Sequence, residues 1–333
     1  MATAVRRYAV AQARVRARLA RIVDRRALEG MAAVPDADSV LRALEARGRP
    51  DARESVLAAF DDVLGMLQGA AREVVARYRD RHEWENLAVL LRAVERGLGP
   101  EDVLPLLQPV GALGSAPLAR AVLRADSLTG AVARLPALPY GDLLRRVAAA
   151  APRGSVTRFR LEAVAEREAW ERAWRAVSAL DAVDRRSAAR VLGTRLDCVN
   201  LLRFLLLRTE HGLAPDELLA LAVRGGYRLG RQERAVLAHE PPAAWSSALA
   251  HTPYAGALAP GDDAVAVEAE LRRVVAAAAR RELAGTPFRI GLVLAYLVLL
   301  EIQAGDLRRV LEGRRLRRST EWILAGLAGP RRA

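Results

Sequence analysis

Few groups in this sequence could carry reaction chemistry. The chain of 333 residues holds one thiol, Cys198, four histidines, His82, His211, His239 and His251, and no lysine, so that all 52 basic residues are arginine. Without an ε-amine there is no Schiff-base chemistry, no P-loop lysine and no kinase-type lysine. A single cysteine permits neither an internal disulfide nor a cysteine-based zinc site, which fits a reducing compartment and points to the cytosol. The histidines fall at spacings without a zinc signature and read as surface or cap residues. Cys198 sits at the start of an apolar stretch, where a small buried hydrophobe is the usual role. Gly225 and Gly226 precede Tyr227 with no strand before them, so they are not read as a phosphate-cradling loop. No catalytic residue, metal ligand or cofactor site is expected.

The polar residues that do stand out occur more than once. Glu83-Trp84-Glu85-Asn86-Leu87 parallels Asp197-Cys198-Val199-Asn200-Leu201, and Gln303-Ala304-Gly305-Asp306-Leu307 is a degenerate third version. Such acid and asparagine pairs could cap helices or bond between helices to set register. Downstream, residues 97–111 match residues 212–226 at an ungapped offset of 115, and Pro139-Tyr140 parallels Pro253-Tyr254. Within the match, Gly97 and Gly212 stand where a helix needs a left-handed C-terminal residue. Pro100 and Pro215 suit the first turn of the next helix, with acids at its positive end. A site that recurs in near-copies belongs to an architecture, whereas a catalytic constellation is found once. Three related helical units follow, over 1–140, 141–254 and a shortened 255–333.

The elements that must carry these pairs are helices. In the first, Tyr8, Val15, Leu19 and Ile22 form an apolar stripe, and Arg7, Arg14, Arg18, Arg21 and Arg25 share one face. No alternating segment argues for a sheet. Breaks are marked at Pro35–Asp38, Gly111–Pro117, Pro136–Gly141, Pro152–Ser155, Glu240–Ala244 and Ala259–Asp263. The fold class expected is all-α. The N-terminus mixes arginine through its apolar pattern, unlike a signal peptide. The longest uncharged apolar run, Ile290–Leu300, is 11 residues against the roughly 20 of a membrane-spanning helix, so no spanning segment is expected. The formal net charge of +13 invites a nucleic-acid reading, but the surplus is spread evenly, as +4, +5 and +4 over the three units. Its one local concentration is Arg308, Arg309, Arg314, Arg315, Arg317 and Arg318.

These residues resemble a known family: the C subunits of the archaeal and bacterial V/A-type rotary ATPases, relatives of the d subunit of the eukaryotic V-ATPase. Tyr8 with Ala13-Arg14-Val15-Arg16 is similar to that family's opening helix. Asn86-Leu87 with Leu90, Leu91 and Arg92 is similar to its first Asn-Leu helix, and Asn200, Leu201 and Arg208, followed by Gly225-Gly226-Tyr227, to its second. Pro287-Phe288-Arg289-Ile290-Gly291, with Leu294, Tyr296, Leu297, Leu307 and Arg308, resembles the last unit. There the family tends to show a lysine and a glutamate before Asn-Leu-Arg, whereas this chain has Leu300, Gln303 and Asp306.

The resemblance implies a non-catalytic rotor part. It would be a funnel or cup of three helical domains with pseudo-threefold symmetry, peripheral on the cytoplasmic face of the membrane proteolipid ring. Its cavity would receive the central axle, built from the D and F proteins of the complex, and torque would pass to the A/B hexamer. Partner-binding candidates are Tyr8, Arg14, Arg16, Asn86, Arg92, Asn200, Arg208, Tyr227, Phe288, Tyr296, Arg308, Arg309, Arg314 and Arg315. The arginine cluster is expected to orient the cup over acidic or dipolar groups, as charge complementarity fixes register. The competing readings are a basic all-α nucleic-acid-binding protein, a helical adaptor unrelated to ATPases, and an unrecognised enzyme; nucleic acid is not expected as a partner.

Overall fold

A computed structural model describes residues 2–46, 52–135, 140–150, 157–259 and 264–328, and these contain helices and no strand. The break expected at Pro152–Ser155 lies wholly outside the described residues and those at Pro136–Gly141 and Ala259–Asp263 lie partly outside them, as does Pro139 of the Pro-Tyr pair. The chain forms two compact units, one of Met1–Arg72 with Val177–Ala333 and one of Glu73–Ala176. The repeat is a pattern of motif and the units are a pattern of packing, so the two divide the chain at different places.

In the larger unit the central element is the Ile290–Arg315 helix, 26 residues long. It is apolar all round through Leu300, and a helix of that kind must be covered on every side. By length and composition it could cross a membrane, yet 94% of its most apolar 18-residue window is buried inside the protein. The uncharged run seen in the sequence is therefore the first half of a core helix. The Ala264–Leu283 helix is its main neighbour, and Ala2–Leu19, Ala52–Leu64 and Ala182–Ala188 also pack on it. Its far end joins Leu28, Met31, Val40 and Leu44 from the Arg25–Ala33 and Ala37–Glu45 helices and Ile323 and Leu327 from the C-terminal segment in one buried cluster.

The opening helix stops at Leu19, earlier than the arginine periodicity suggests. Asp24 accepts from the Ala27 amide at 2.7 Å and starts a new helix at Arg25. Arg21 and Arg25 thus do not share a helix with Arg7 and Arg14, because a side-chain cap overrides continuing periodicity.

The smaller unit packs the Glu83–Arg96 helix against Ala116–Leu123 and Leu128–Ala133, with Leu87, Leu90, Leu91, Leu113 and Val122 fully buried. Tyr78 and Trp170 meet at 6.0 Å between ring centroids. The Arg81 guanidinium lies over both rings, 5.0 Å from Tyr78 and 4.6 Å from Trp170. A planar cation so placed, though buried, is attracted by both ring faces.

Candidate functional site: a clamp made three times

The first clamp is in the smaller unit. Glu83 and Asn86 are three residues apart on the Glu83–Arg96 helix and so lie on one face of it. The Asn86 amide donates to the Gln108 carbonyl at 2.9 Å and accepts the Gln108 amide at 2.8 Å, closing a two-bond ring with the backbone. The Glu83 carboxylate accepts the Leu113 amide at 3.1 Å. Burial pushes its pKa above the usual carboxylate range, while the amides of Leu113 and Ala112 oppose that rise. Tyr140 lies close enough for the Glu83 charge, after burial, to raise its hydroxyl's pKa as well.

The second clamp, in the larger unit, repeats this with a shorter acid. Asn200 donates to the Val223 carbonyl at 2.9 Å and accepts the Val223 amide at 2.8 Å. Asp197 Oδ2 accepts the amides of Tyr227, Arg228 and Leu229 at 3.0, 2.6 and 3.2 Å and the Tyr254 hydroxyl at 2.6 Å. Burial again raises the acid's pKa, against the pull of these four donors. The adjacent Cys198 is buried, its thiol bonded to the Leu271 carbonyl and its pKa driven well up by desolvation, so it is held as an inert thiol.

Each acid needs room, and a matched glycine gives it. A Cβ on Gly111 would lie 2.2 Å from Glu83 Oε1, and one on Gly226 would lie 2.0 Å from Asp197 Oδ1. These two glycines occupy the same position of the repeat. Gly193, in a π-helical turn over Ala189–Gly193, likewise lets the Gly226–Tyr227 backbone approach within 3.1 Å of where its Cβ would be.

The third clamp is on the core helix and is more complete than its sequence suggests. Asp306 Oδ1 accepts the Ala328 amide at 3.1 Å, and Arg272 donates to the same oxygen at 2.7 Å. The bonded segment is 22 residues downstream, as it is for Asn86, and against 23 for Asn200. Gln303 accepts the Val23 amide at 2.7 Å, so it reaches a segment 280 residues away in sequence. Asp306 and Gln303 therefore keep the clamp where the family pattern differs, since each offers the acceptor oxygen that a backbone N–H requires.

Helix ends repeat with the clamps. Gly97 and Gly212 are left-handed, with φ of 65° and 62°, and Pro100 and Pro215 open the next helices. At the corresponding point of the third copy stands Arg317, also left-handed at φ 52°, with the Arg318 amide bonded back to the Gly313 carbonyl at 2.8 Å. Ser319 then caps the Thr320–Ala325 helix through the Trp322 amide. Sequence comparison missed this copy, because Arg-Arg-Ser-Thr-Glu shares only its acid with Gly-Leu-Gly-Pro-Glu.

The profile of the ATP synthase (C/AC39) subunit family matches residues 51–325, most of the chain and nearly all of the three clamps. The chain belongs to that family. Its members are V/A-type rotary ATPase subunits, as the residues suggested. Among curated proteins no individual sequence matches it.

In this C/AC39-family chain four of the fourteen singled-out residues are buried, four are half-buried and six are exposed. The Tyr8 hydroxyl donates to Asp184 at 2.6 Å, and Tyr296 is buried in the core helix. Arg208 donates to the carbonyls of Leu237, Ala238, His239 and Glu240, closing the end of the Arg231–His239 helix. Arg92, its match in the repeat, instead pairs with Glu162 at 3.3 Å. Arg309 donates to the Ile323 and Trp322 carbonyls, and Arg314 to the Ala32 carbonyl and the Thr320 hydroxyl. Two of the four expected cluster arginines thus hold the fold together. The Phe288 amide donates to Gln12 at 2.5 Å from a left-handed residue with φ 58°. Arg14 pairs with Asp62 at the surface, while Arg16, Arg308 and Arg315 are exposed, and Tyr227 is 40% exposed beneath the Arg228 guanidinium.

One buried anchor escaped sequence reasoning. Asp184 accepts from Tyr8 and from the Ile290 amide, partners 176 and 106 residues away, so no local spacing signals it. Among the described residues no group of three histidines, cysteines or acids is placed to hold a metal ion.

Proposed function

We propose that this chain is the non-catalytic rotor component that joins the proteolipid ring of a V/A-type rotary ATPase to its D–F axle. It would sit peripherally on the cytoplasmic face of the membrane, with the A/B hexamer reached only through the axle. The three units, 1–140, 141–254 and 255–333, would form a funnel with pseudo-threefold symmetry. The observation that carries this reading is the clamp itself. In a member of an ATP synthase subunit family, a polar pair at i and i+3 bonds a helix to distant backbone in three places, each time reaching a downstream segment and in the third also Val23 upstream. Torque is transmitted only by a part that does not shear under load. Buried polar pairs hydrogen-bonded to packed backbone resist such sliding, because moving them would strand unsatisfied groups away from water.

The test is co-purification. The full chain, mixed with the D–F pair and separately with detergent-solubilised ring, is expected to migrate with each in size-exclusion chromatography. Failure to join either one would refute the assignment.

A further inference from the structure

We propose that the junction of the core helix and the C-terminal helix, residues 315–322, is a membrane-surface anchor that binds anionic lipid headgroups. It presents Leu316, 66% exposed, and Trp322, 40% exposed, among the exposed guanidiniums of Arg308, Arg315, Arg317 and Arg318. Trp322 is flanked by two cations, with Arg309 4.0 Å and Arg318 5.4 Å from its ring. The side chains of Arg315 and Arg317 are exposed and make no hydrogen bond or ion pair with a described residue. Glu312 and Glu321 are the exposed acids beside them, so the patch keeps a net positive charge.

The backbone adds an independent sign that the charge is wanted. Two copies of the repeat place glycine at the left-handed end of their helix, Gly97 and Gly212, where the third has Arg317. A side chain at φ 52° is strained, and strain retained where glycine would relieve it points to a use for the side chain. An exposed leucine and tryptophan ringed by arginines is the composition of an interfacial anchor. Trp seats at the headgroup level, and each arginine gains from the negative surface potential. The two glutamates and the protruding Leu316 favour a deformable lipid surface over a shaped acidic protein face. The inference concerns the chain's own lipid affinity and stands apart from its capture of the D–F pair.

Sedimentation of the full chain with phosphatidylcholine vesicles, with and without phosphatidylglycerol, tests it. Binding is expected only with phosphatidylglycerol and falls as salt is raised. Arg317→Gly restores the residue used by the other two copies, so it keeps the fold, and it is expected to weaken partitioning about fivefold. Arg124→Gln removes an equal charge from an exposed site in the smaller unit and is expected to change it little. The proposal is overturned by equal sedimentation with both vesicle types, or by an Arg124→Gln loss matching that of Arg317→Gly. It is also overturned if vesicles are ignored while Arg317→Gly weakens capture of the D–F pair or the ring, which would make the patch a protein contact.

Discussion

Gly111→Ala and Gly97→Ala differ chiefly in what the new Cβ meets, and that difference measures the clamp. Both glycines have positive φ and lie in the smaller unit, Gly97 left-handed at φ 65°, ψ 30° and Gly111 extended at φ 63°, ψ −170°. Alanine at Gly97 meets a backbone cost of about 1–2 kcal/mol, offset by roughly 0.5–1 kcal/mol from the stiffer unfolded chain, for a loss of about 1 kcal/mol. At Gly111, in a region nearly confined to glycine, the backbone cost is about 1–3 kcal/mol and strain alone predicts a loss of about 2 kcal/mol. At Gly97 nothing lies within 4 Å of the new Cβ. At Gly111 the new Cβ would fall 2.2 Å from Glu83 Cδ and Oε1, and the carboxylate must leave. Glu83 is only 7% exposed, so it gives up its bond from the Leu113 amide without water to replace it. Losing charge-assisted bonds of about 1.5–3 kcal/mol each adds roughly 3 kcal/mol, for a total of about 5 kcal/mol. Urea unfolding followed by circular dichroism compares the two variants directly, and hydrogen exchange at the Leu113 amide reports the clamp itself. If Gly111→Ala loses no more than about 1 kcal/mol beyond Gly97→Ala, the carboxylate is not holding the segment.

Two more outcomes follow from the same contacts. Glu83, Asp197 and Asp306 all have pKa values raised by burial above their ordinary 4.5, 3.8 and 3.8. The folded state therefore binds their protons more tightly than the unfolded state, and stability is lost as pH rises through those raised values. The urea midpoint is expected to climb as pH falls from neutral toward about 4, with Asp197→Asn flattening the rise; a midpoint that instead climbs with pH would contradict it. Below that range the exposed caps Asp36 and Asp181, whose pKa values are lowered, reverse the trend. Arg314→Glu is expected to cost about 2–3 kcal/mol in thermal unfolding, since its guanidinium holds the Ala32 carbonyl and Thr320. Arg315→Glu, exposed and bonded to no described residue, should stay within about 0.5 kcal/mol, and equal losses would refute the distinction.

Local rules read well from the sequence because they act within a turn or two. Gly97, Gly212, Pro100 and Pro215 end and start helices where their backbone preferences require, and both Asn-Leu pairs lie on helices. Side-chain roles read less well. Arg208 and Arg92 match in the repeat, yet one closes a helix end and the other forms a surface ion pair. The arginine cluster looked uniform in sequence, but Arg309 and Arg314 turn inward to carbonyls while Arg308 and Arg315 stay exposed.

By itself the sequence determined that the chain is helical, that it lacks lysine chemistry, and that one polar pair recurs with a family resemblance. Periodicity, composition and repeats survive without coordinates. Only the tertiary structure decided what the pair does, because its backbone partners lie 22 to 32 residues away along an irregular path and, for Gln303, 280 away. It also decided that the apolar stretch from Ile290 is a core helix, since burial is a property of neighbours, and that Arg317 replaces a glycine, since handedness of a single residue leaves no mark on composition.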